Sequence, residues 1–191
     1  MDDPTLPGTG APDSPPMATP AADAVQAAID GLGILARRRI EAEIIRPIHA
    51  EMKRRFGAEA AREVLRAAIT EAAIAAGARF AGAEAGPVDL TSFAALQPLW
   101  RKDDALEIEV LAETPDRFDY DVTRCRYAEM YHGMGLGEIG DVLSCQRDAS
   151  FCTGYNPAIT MERTTTIMQG GKRCDFRYRM KGDTKPEPDG R

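Results

Sequence analysis

Ala105-Leu106-Glu107-Ile108-Glu109-Val110-Leu111 decides the fold, because here the period of the apolar residues changes. Leu106, Ile108 and Val110 alternate with glutamates, as a strand with one buried and one wet face requires. After the turn signal Thr114-Pro115-Asp116, the run Arg117 to Thr123 alternates again through Phe118, Tyr120 and Val122, so an antiparallel hairpin is expected. Upstream, from Ala21 to Ala83, apolar residues return at three- and four-residue steps among many alanines, a helical pattern.

Within that helical region Gly31 and Gly33 mark a break, Phe56-Gly57 reads as a helix end with glycine in the cap, and Pro47 suggests a kink. Ile40, Ile44, Ile48 and Met52 fall on one stripe of the first long helix. A second helix is expected over Ala58 to Ala76, with Val64, Leu65, Ala68, Ile69, Ala72 and Ala73 as its apolar face. A short helix follows over Leu90 to Trp100, interrupted near Pro98.

Downstream of the hairpin, Arg124 to Met134 suits a helix carrying Cys125, Ala128 and His132. Glu138 to Cys145 suits another, and Gln146-Arg147-Asp148 reads as a polar turn. Ile159 to Ile167 is expected as a strand, Gln169-Gly-Gly-Lys172 as a tight turn, and Cys174 to Met180 as the partner strand. The layout is α+β: N-terminal helices packed on a small antiparallel sheet formed mainly by the C-terminal half. A single domain over residues 21–181 is expected. The Pro-rich residues 1–20 are expected as a disordered tail, and residues 182–191 as a flexible one.

A formal charge of −6 and a pI near 5.1 argue against nucleic acid as a partner and favour a small molecule. No run reaches the roughly 18–20 apolar residues that span a bilayer, so no membrane association is expected. Without a basic segment followed by an apolar one at the N-terminus, the expected location is cytoplasmic, where Cys125, Cys145, Cys152 and Cys174 stay reduced. Alanine-rich helices leave a homo-oligomer open.

Chemistry concentrates in Cys145-Gln-Arg-Asp148, where a thiol and a carboxylate stand three residues apart. Cys145 as thiolate, activated by Arg147, a helix terminus or a base, is a candidate nucleophile; Asp148 is a candidate to orient water or hold a cationic amidine. On the residues alone the same pair reads rather as a core thiol and a turn cap. In the last strand Cys174, Phe176 and Tyr178 share one side and Asp175, Arg177 and Arg179 the other. Arg163 suits bidentate capture of a carboxylate or, alternatively, a cross-strand ion pair. Cys125, His132, Cys145, Asp148 and Cys174 are metal-ligand types, but their spacing matches no zinc pattern, so no metal is expected. His49 is expected at the surface and His132 is a weak candidate base. No nucleotide-binding fingerprint is present, and no cofactor is expected.

The order Arg124-Cys125-x-Tyr127, Cys145-x-x-Asp148, Met161-Glu-Arg-Thr-x-Thr166, Gly170-Gly171 and Cys174-Asp-Phe-Arg177 resembles the L-2-amino-thiazoline-4-carboxylic acid hydrolase family. Arg38 to Ile48 and Arg54-Arg55-Phe56-Gly57 are similar to that family's opening helix, and the likeness covers roughly residues 37 to 181. The resemblance implies hydrolysis of a small cyclic C–N substrate, the namesake reaction giving N-carbamoyl-cysteine. It places Cys145, Asp148, Arg163, Thr166, Cys174 and Asp175 on the family's motifs. The expected site has Cys145 and Asp148 as catalytic residues, with Arg163, Thr166, Cys174, Tyr127 and His132 around the substrate. Loss of turnover by orders of magnitude is expected for Cys145→Ser and Asp148→Asn. The terminal Gly-Gly-x-x-Cys-x-Phe hairpin also resembles 4-vinyl-reductase-type domains, which would bind a small molecule without turnover.

Overall fold

The computed structural model describes residues 20–181; apart from Pro20, the tail expected over 1–20 lies outside them, as does that over 182–191. The chain divides between Leu32 and Gly33 into two compact units. The first holds helix α1 (Pro20–Gly31), whose opening proline suits a first turn that needs no N–H. Everything below belongs to the second unit.

Helices α2 (Ile34–Phe56) and α3 (Ala58–Ala83) meet at Gly57, whose φ of 84° is one that a side chain would strain. Pro47 does not break α2. It sits on the exposed face, where solvent can satisfy the carbonyl one turn earlier. The stripe of Ile40, Ile44 and Ile48 also points outward, at 49–64% exposure. The inward face instead carries Ala42 and His49, with Arg38 and Glu41 half-buried beside them. Polarity misleads there because that face borders a charged cavity. His49, expected at the surface, is buried, with Glu138 3.8 Å away, and burial lowers its pKa.

Helix α3 runs seven residues past its expected end at Ala76. Gly77 does not stop it, because it is the point where α3 meets α7 (Gln146–Tyr155): a Cβ there would strike the backbone at Phe151 and Tyr155. Gly154 answers from α7, where a Cβ would strike the carbonyl of Ile74. Backbone cannot rotate aside as a side chain can. Gly154→Ala is therefore expected to lower stability by ~1–3 kcal/mol, seen as a lowered denaturant midpoint at unchanged slope; an unchanged midpoint would show that the two helices have room to part.

After α4 (Leu90–Ala95), capped reciprocally by Asp89 and Ser92, and α5 (Gln97–Arg101), the sheet begins. Strands β1 (Leu106–Glu113) and β2 (Arg117–Cys125) form the expected hairpin, closed by Thr114 and Arg117, with two register shifts along β1. Helix α6 (Arg126–Gly133) follows directly. With β3 (Ile159–Glu162) and β4 (Cys174–Met180) the antiparallel order is β1-β2-β4-β3. The strand expected to Ile167 stops at Glu162, and no tight turn joins β3 to β4. Asp175 draws the loop aside: its carboxylate accepts from the Thr164 and Thr165 backbone N–H groups at 3.0 and 2.8 Å and from the Thr164 hydroxyl at 2.6 Å. Those donors are lost to a strand ladder.

Phe118, Tyr120 and Val122 of β2 and Cys174, Phe176 and Tyr178 of β4 face Phe93, Phe151 and Tyr155 of the helices, forming one core. Rings stack across the strands, Tyr120 on Phe176 at 4.8 Å between centroids; such pairs contribute about 0.5–1.5 kcal/mol beyond area burial. On the sheet's other side Arg117 and Arg179 pair with the buried Asp119, and Arg173 and Arg177 with Asp121. Although burial pushes the Asp119 carboxyl up, its arginines hold it below its ordinary pKa. A second core joins α2, α3 and α6 through Ala42, Leu65, Ile69, Tyr131 and Leu143.

Candidate active site

Gln146-Arg147-Asp148 is not a turn but the first turn of α7, entered through a π-helical turn over Asp141–Cys145. The widened turn is a rare geometry that recurs at functional sites. Its polar residues face inward and are matched there. Gln146 donates to the Arg66 carbonyl at 3.0 Å and to the Thr70 hydroxyl; Arg147 donates to the Leu143 carbonyl at 2.8 Å. Asp148 accepts from Arg163 at 2.6 Å.

Arg147 and Asp148 border a cavity of about 100 Å³ between the inner face of the sheet and helices α2, α3, α5 and α7. A cavity of roughly 150 Å³ holds benzene; at about two-thirds of that volume this one admits no more than a single small ring. Cys145, Asp148, Arg163, Cys174 and Tyr127 all line it. The structure thus gathers five of the seven residues expected around the substrate.

The other two lie elsewhere. Thr166 caps the short 3-10 turn Ile167–Gln169, accepting from the Gln169 N–H at 3.2 Å and donating to its side-chain oxygen at 3.1 Å. His132 puts Nε2 3.1 Å from the Met168 carbonyl, and neither residue borders the cavity. Both brace the loop before β4.

Arg163 lies just past β3 and is 10% exposed. One nitrogen holds Asp148, a second donates to the Cys145 carbonyl at 2.9 Å, and the guanidinium carbon stands 4.8 Å over the Phe176 ring. Burial disfavours its charge, but Asp148 and Cys145 more than offset that, and its pKa is raised. Asp148 is raised as well, by burial first, against the pull of Arg163. Only its Oδ2 is taken by Arg163; among the described residues Oδ1 makes no hydrogen bond.

Cys145 is no ready thiolate. Burial, then the charge of Asp148, pushes its thiol far above the ordinary value, with Arg163 opposing. All four cysteines are free. Cys125 is held up at about 11 by burial while its sulfur accepts from the Ala128 N–H at 3.4 Å; Cys174 accepts likewise from Ile167 at 3.2 Å. Among the described residues no three His, Cys, Asp or Glu side chains are grouped to hold a metal.

Of three further lining residues, Arg147 was expected only as an activator of Cys145, and Arg38 and Gln97 carried little sequence signal. Arg38 and Arg147 grip one carboxylate, Glu41, Arg38 at 2.6 and 2.8 Å and Arg147 at 3.1 Å. Burial, and then the Arg38 charge, lowers the Arg147 pKa. The sign of Arg38 is its inward position three residues from Glu41 on α2, which only a face assignment reveals. Gln97, ahead of Pro98, gave no sign at all.

The model of the L-2-amino-thiazoline-4-carboxylic acid hydrolase family matches residues 37–178. The chain belongs to this family. As a member of the L-2-amino-thiazoline-4-carboxylic acid hydrolases it is a hydrolase acting on a non-peptide C–N substrate, and its substrate is a small molecule. Comparison with curated proteins gives no match. Among solved structures, the chain is similar to the phenol-responsive sensory domain of the transcription activator PoxR with phenol (TM-score 0.42, 10% identity, covering 70% of this chain and 71% of that one). It is also similar to a trafficking protein particle complex subunit 3 from Naegleria fowleri covalently bound to palmitic acid (TM-score 0.47, 8% identity, covering 76% and 96%). Among the described residues no helix is long and apolar enough to cross a membrane.

Proposed function

We propose that this hydrolase opens the ring of a 2-amino-thiazoline-4-carboxylate with a water activated by Asp148. The observation that carries the reading is the charge inventory of a ring-sized cavity. Three guanidinium groups, Arg38, Arg147 and Arg163, face two carboxylates, Glu41 and Asp148, which leaves one positive charge for the single carboxylate of the substrate. Arg163 has Asp148 to itself and also donates to the Cys145 carbonyl, whereas Arg38 and Arg147 share the one carboxylate of Glu41 and so carry the surplus charge. Arg38 and Arg147 are therefore the pair proposed to take the substrate carboxylate.

In the reaction the water oxygen bonds to the amidine carbon as one of its protons passes to Asp148 and the C=N pair goes to the ring nitrogen, which takes the second water proton as the carbonyl forms. The tetrahedral intermediate collapses by breaking the ring C–S bond, and the leaving sulfur takes the proton back from Asp148. The product is N-carbamoyl-cysteine, one water heavier than the substrate. A carboxylate with a raised pKa suits this exchange of acid and base roles, and Arg163 supplies positive charge beside it. The four free thiols fit a reducing compartment such as the cytosol.

Each ring opened releases one thiol, so incubation with 2-amino-thiazoline-4-carboxylate and a thiol reagent, with mass spectrometry for the added water, tests the reading. Ligand-induced stabilisation without thiol release would favour a non-catalytic binding domain. The raised Cys145 thiol separates the two candidate nucleophiles: Cys145→Ala is expected to keep kcat within about tenfold, whereas loss of a covalent nucleophile costs far more. A fall by orders of magnitude would transfer the attacking role to Cys145.

A further inference from the structure

Gln97 opens α5, is 8% exposed and borders the cavity beside Trp100, Tyr120 and Tyr178. Among the described residues, its Oε1 is the buried side-chain nitrogen or oxygen that no hydrogen bond satisfies. Tyr120 and Tyr178 line the same cavity, and burial pushes the pKa of the Tyr120 hydroxyl up. A buried acceptor without a donor is costly to keep. Its persistence in a ligand-sized cavity points to a donor that arrives with the ligand.

The cavity's other polar groups say which end of the ligand that is. A substrate carboxylate has no hydrogen to give and is claimed by the arginines. What remains is an N–H at the ring's amidine end. We propose that Gln97 is the specificity-determining residue of this cavity, its Oε1 accepting a hydrogen bond from the exocyclic amino group of the ring substrate. This inference rests on the ring-hydrolase reading above. It goes further in stating what the enzyme selects: a 2-amino ring over a ring of the same shape whose substituent has no hydrogen to donate.

Sites built to bond a substrate N–H reject the analogue lacking it strongly, because the protein group is left unpaired. Initial-rate kinetics of the whole chain, setting the KM for 2-amino-thiazoline-4-carboxylate against the inhibition constant of its 2-methyl analogue, reads this directly. The wild type is expected to prefer the amino compound by on the order of 100-fold. In Gln97→Met, of similar length but without an acceptor, the ratio is expected to fall to within about threefold, with affinity for the methyl compound unchanged. Gln97→Glu keeps an acceptor and is expected to keep the preference, so a Gln97→Met protein that fails to fold still leaves a decisive variant.

A preference that survives in Gln97→Met, is lost in Gln97→Glu, or is lacking in the wild type overturns the role of Gln97 while leaving ring hydrolysis standing. No thiol released from the amino compound overturns both.

Discussion

Asp148→Asn is expected to lower kcat by about 10³, the range in which a positioned general base contributes, while the affinity for 2-amino-thiazoline-4-carboxylate changes little. Asparagine is the same size and keeps an oxygen for Arg163, so the 2.6 Å contact survives in neutral form. What is lost is the capacity to take a proton from water. The pH dependence of the unaltered enzyme should carry the same signature. Burial raises the Asp148 pKa above its ordinary value, and a base works only when ionised, so kcat should fall as pH drops through a value higher than an exposed aspartate would show. Steady-state kinetics between pH 4 and 8, compared with melting curves at each pH, separates this limb from unfolding. An Asp148→Asn enzyme that keeps wild-type kcat, or a profile flat across that range, would remove Asp148 from the chemistry.

Where the chain announces its structure, a single period governs a whole element. The alternation from Phe118, and that of Cys174, Phe176 and Tyr178 against Asp175, Arg177 and Arg179, produced the sheet and its facing directions; that from Leu106 holds to Ile108 and then fails, Val110 being 48% exposed beside a register shift. The Phe56-Gly57 helix end is legible for a similar reason, since few residues but glycine accept its φ. Failures cluster where polar groups go inward. Gln146, Arg147 and Asp148 imitate an exposed turn because their partners, Arg66, Thr70, Leu143 and Arg163, are distant in sequence or unremarkable beside them. The Asp175 contacts that end β3 early have the same origin. Motif order did bring Cys145, Asp148, Arg163, Cys174 and Tyr127 to one cavity. It could not show that Arg163 is already committed, since an arginine looks the same in sequence whether its partner is a substrate or a neighbour.

That commitment makes Arg163→Met the most destabilising single change expected at the site. Removing one partner from a buried pair strands the other, at a cost of about 3–5 kcal/mol, and Arg163 is 10% exposed while Asp148 has 28% of its side chain accessible. For a chain of this length the melting temperature should fall on the order of 10 °C. The cause can be read from its pH dependence. Without Arg163 the burial of Asp148 is unopposed at close range, so its folded-state pKa rises further above the unfolded value. A group raised in this way penalises the fold as pH climbs through the folded pKa, and the penalty vanishes once the carboxyl is protonated below the unfolded one. Acidification from pH 7 toward 5 should therefore restore part of the lost stability in Arg163→Met. A second change, Asp148→Leu, should restore more by removing the stranded charge, without returning activity. If Arg163→Met melts like the unaltered protein at pH 7, or is no more stable at pH 5, the two side chains do not depend on each other and the paired site proposed for the reaction fails with them.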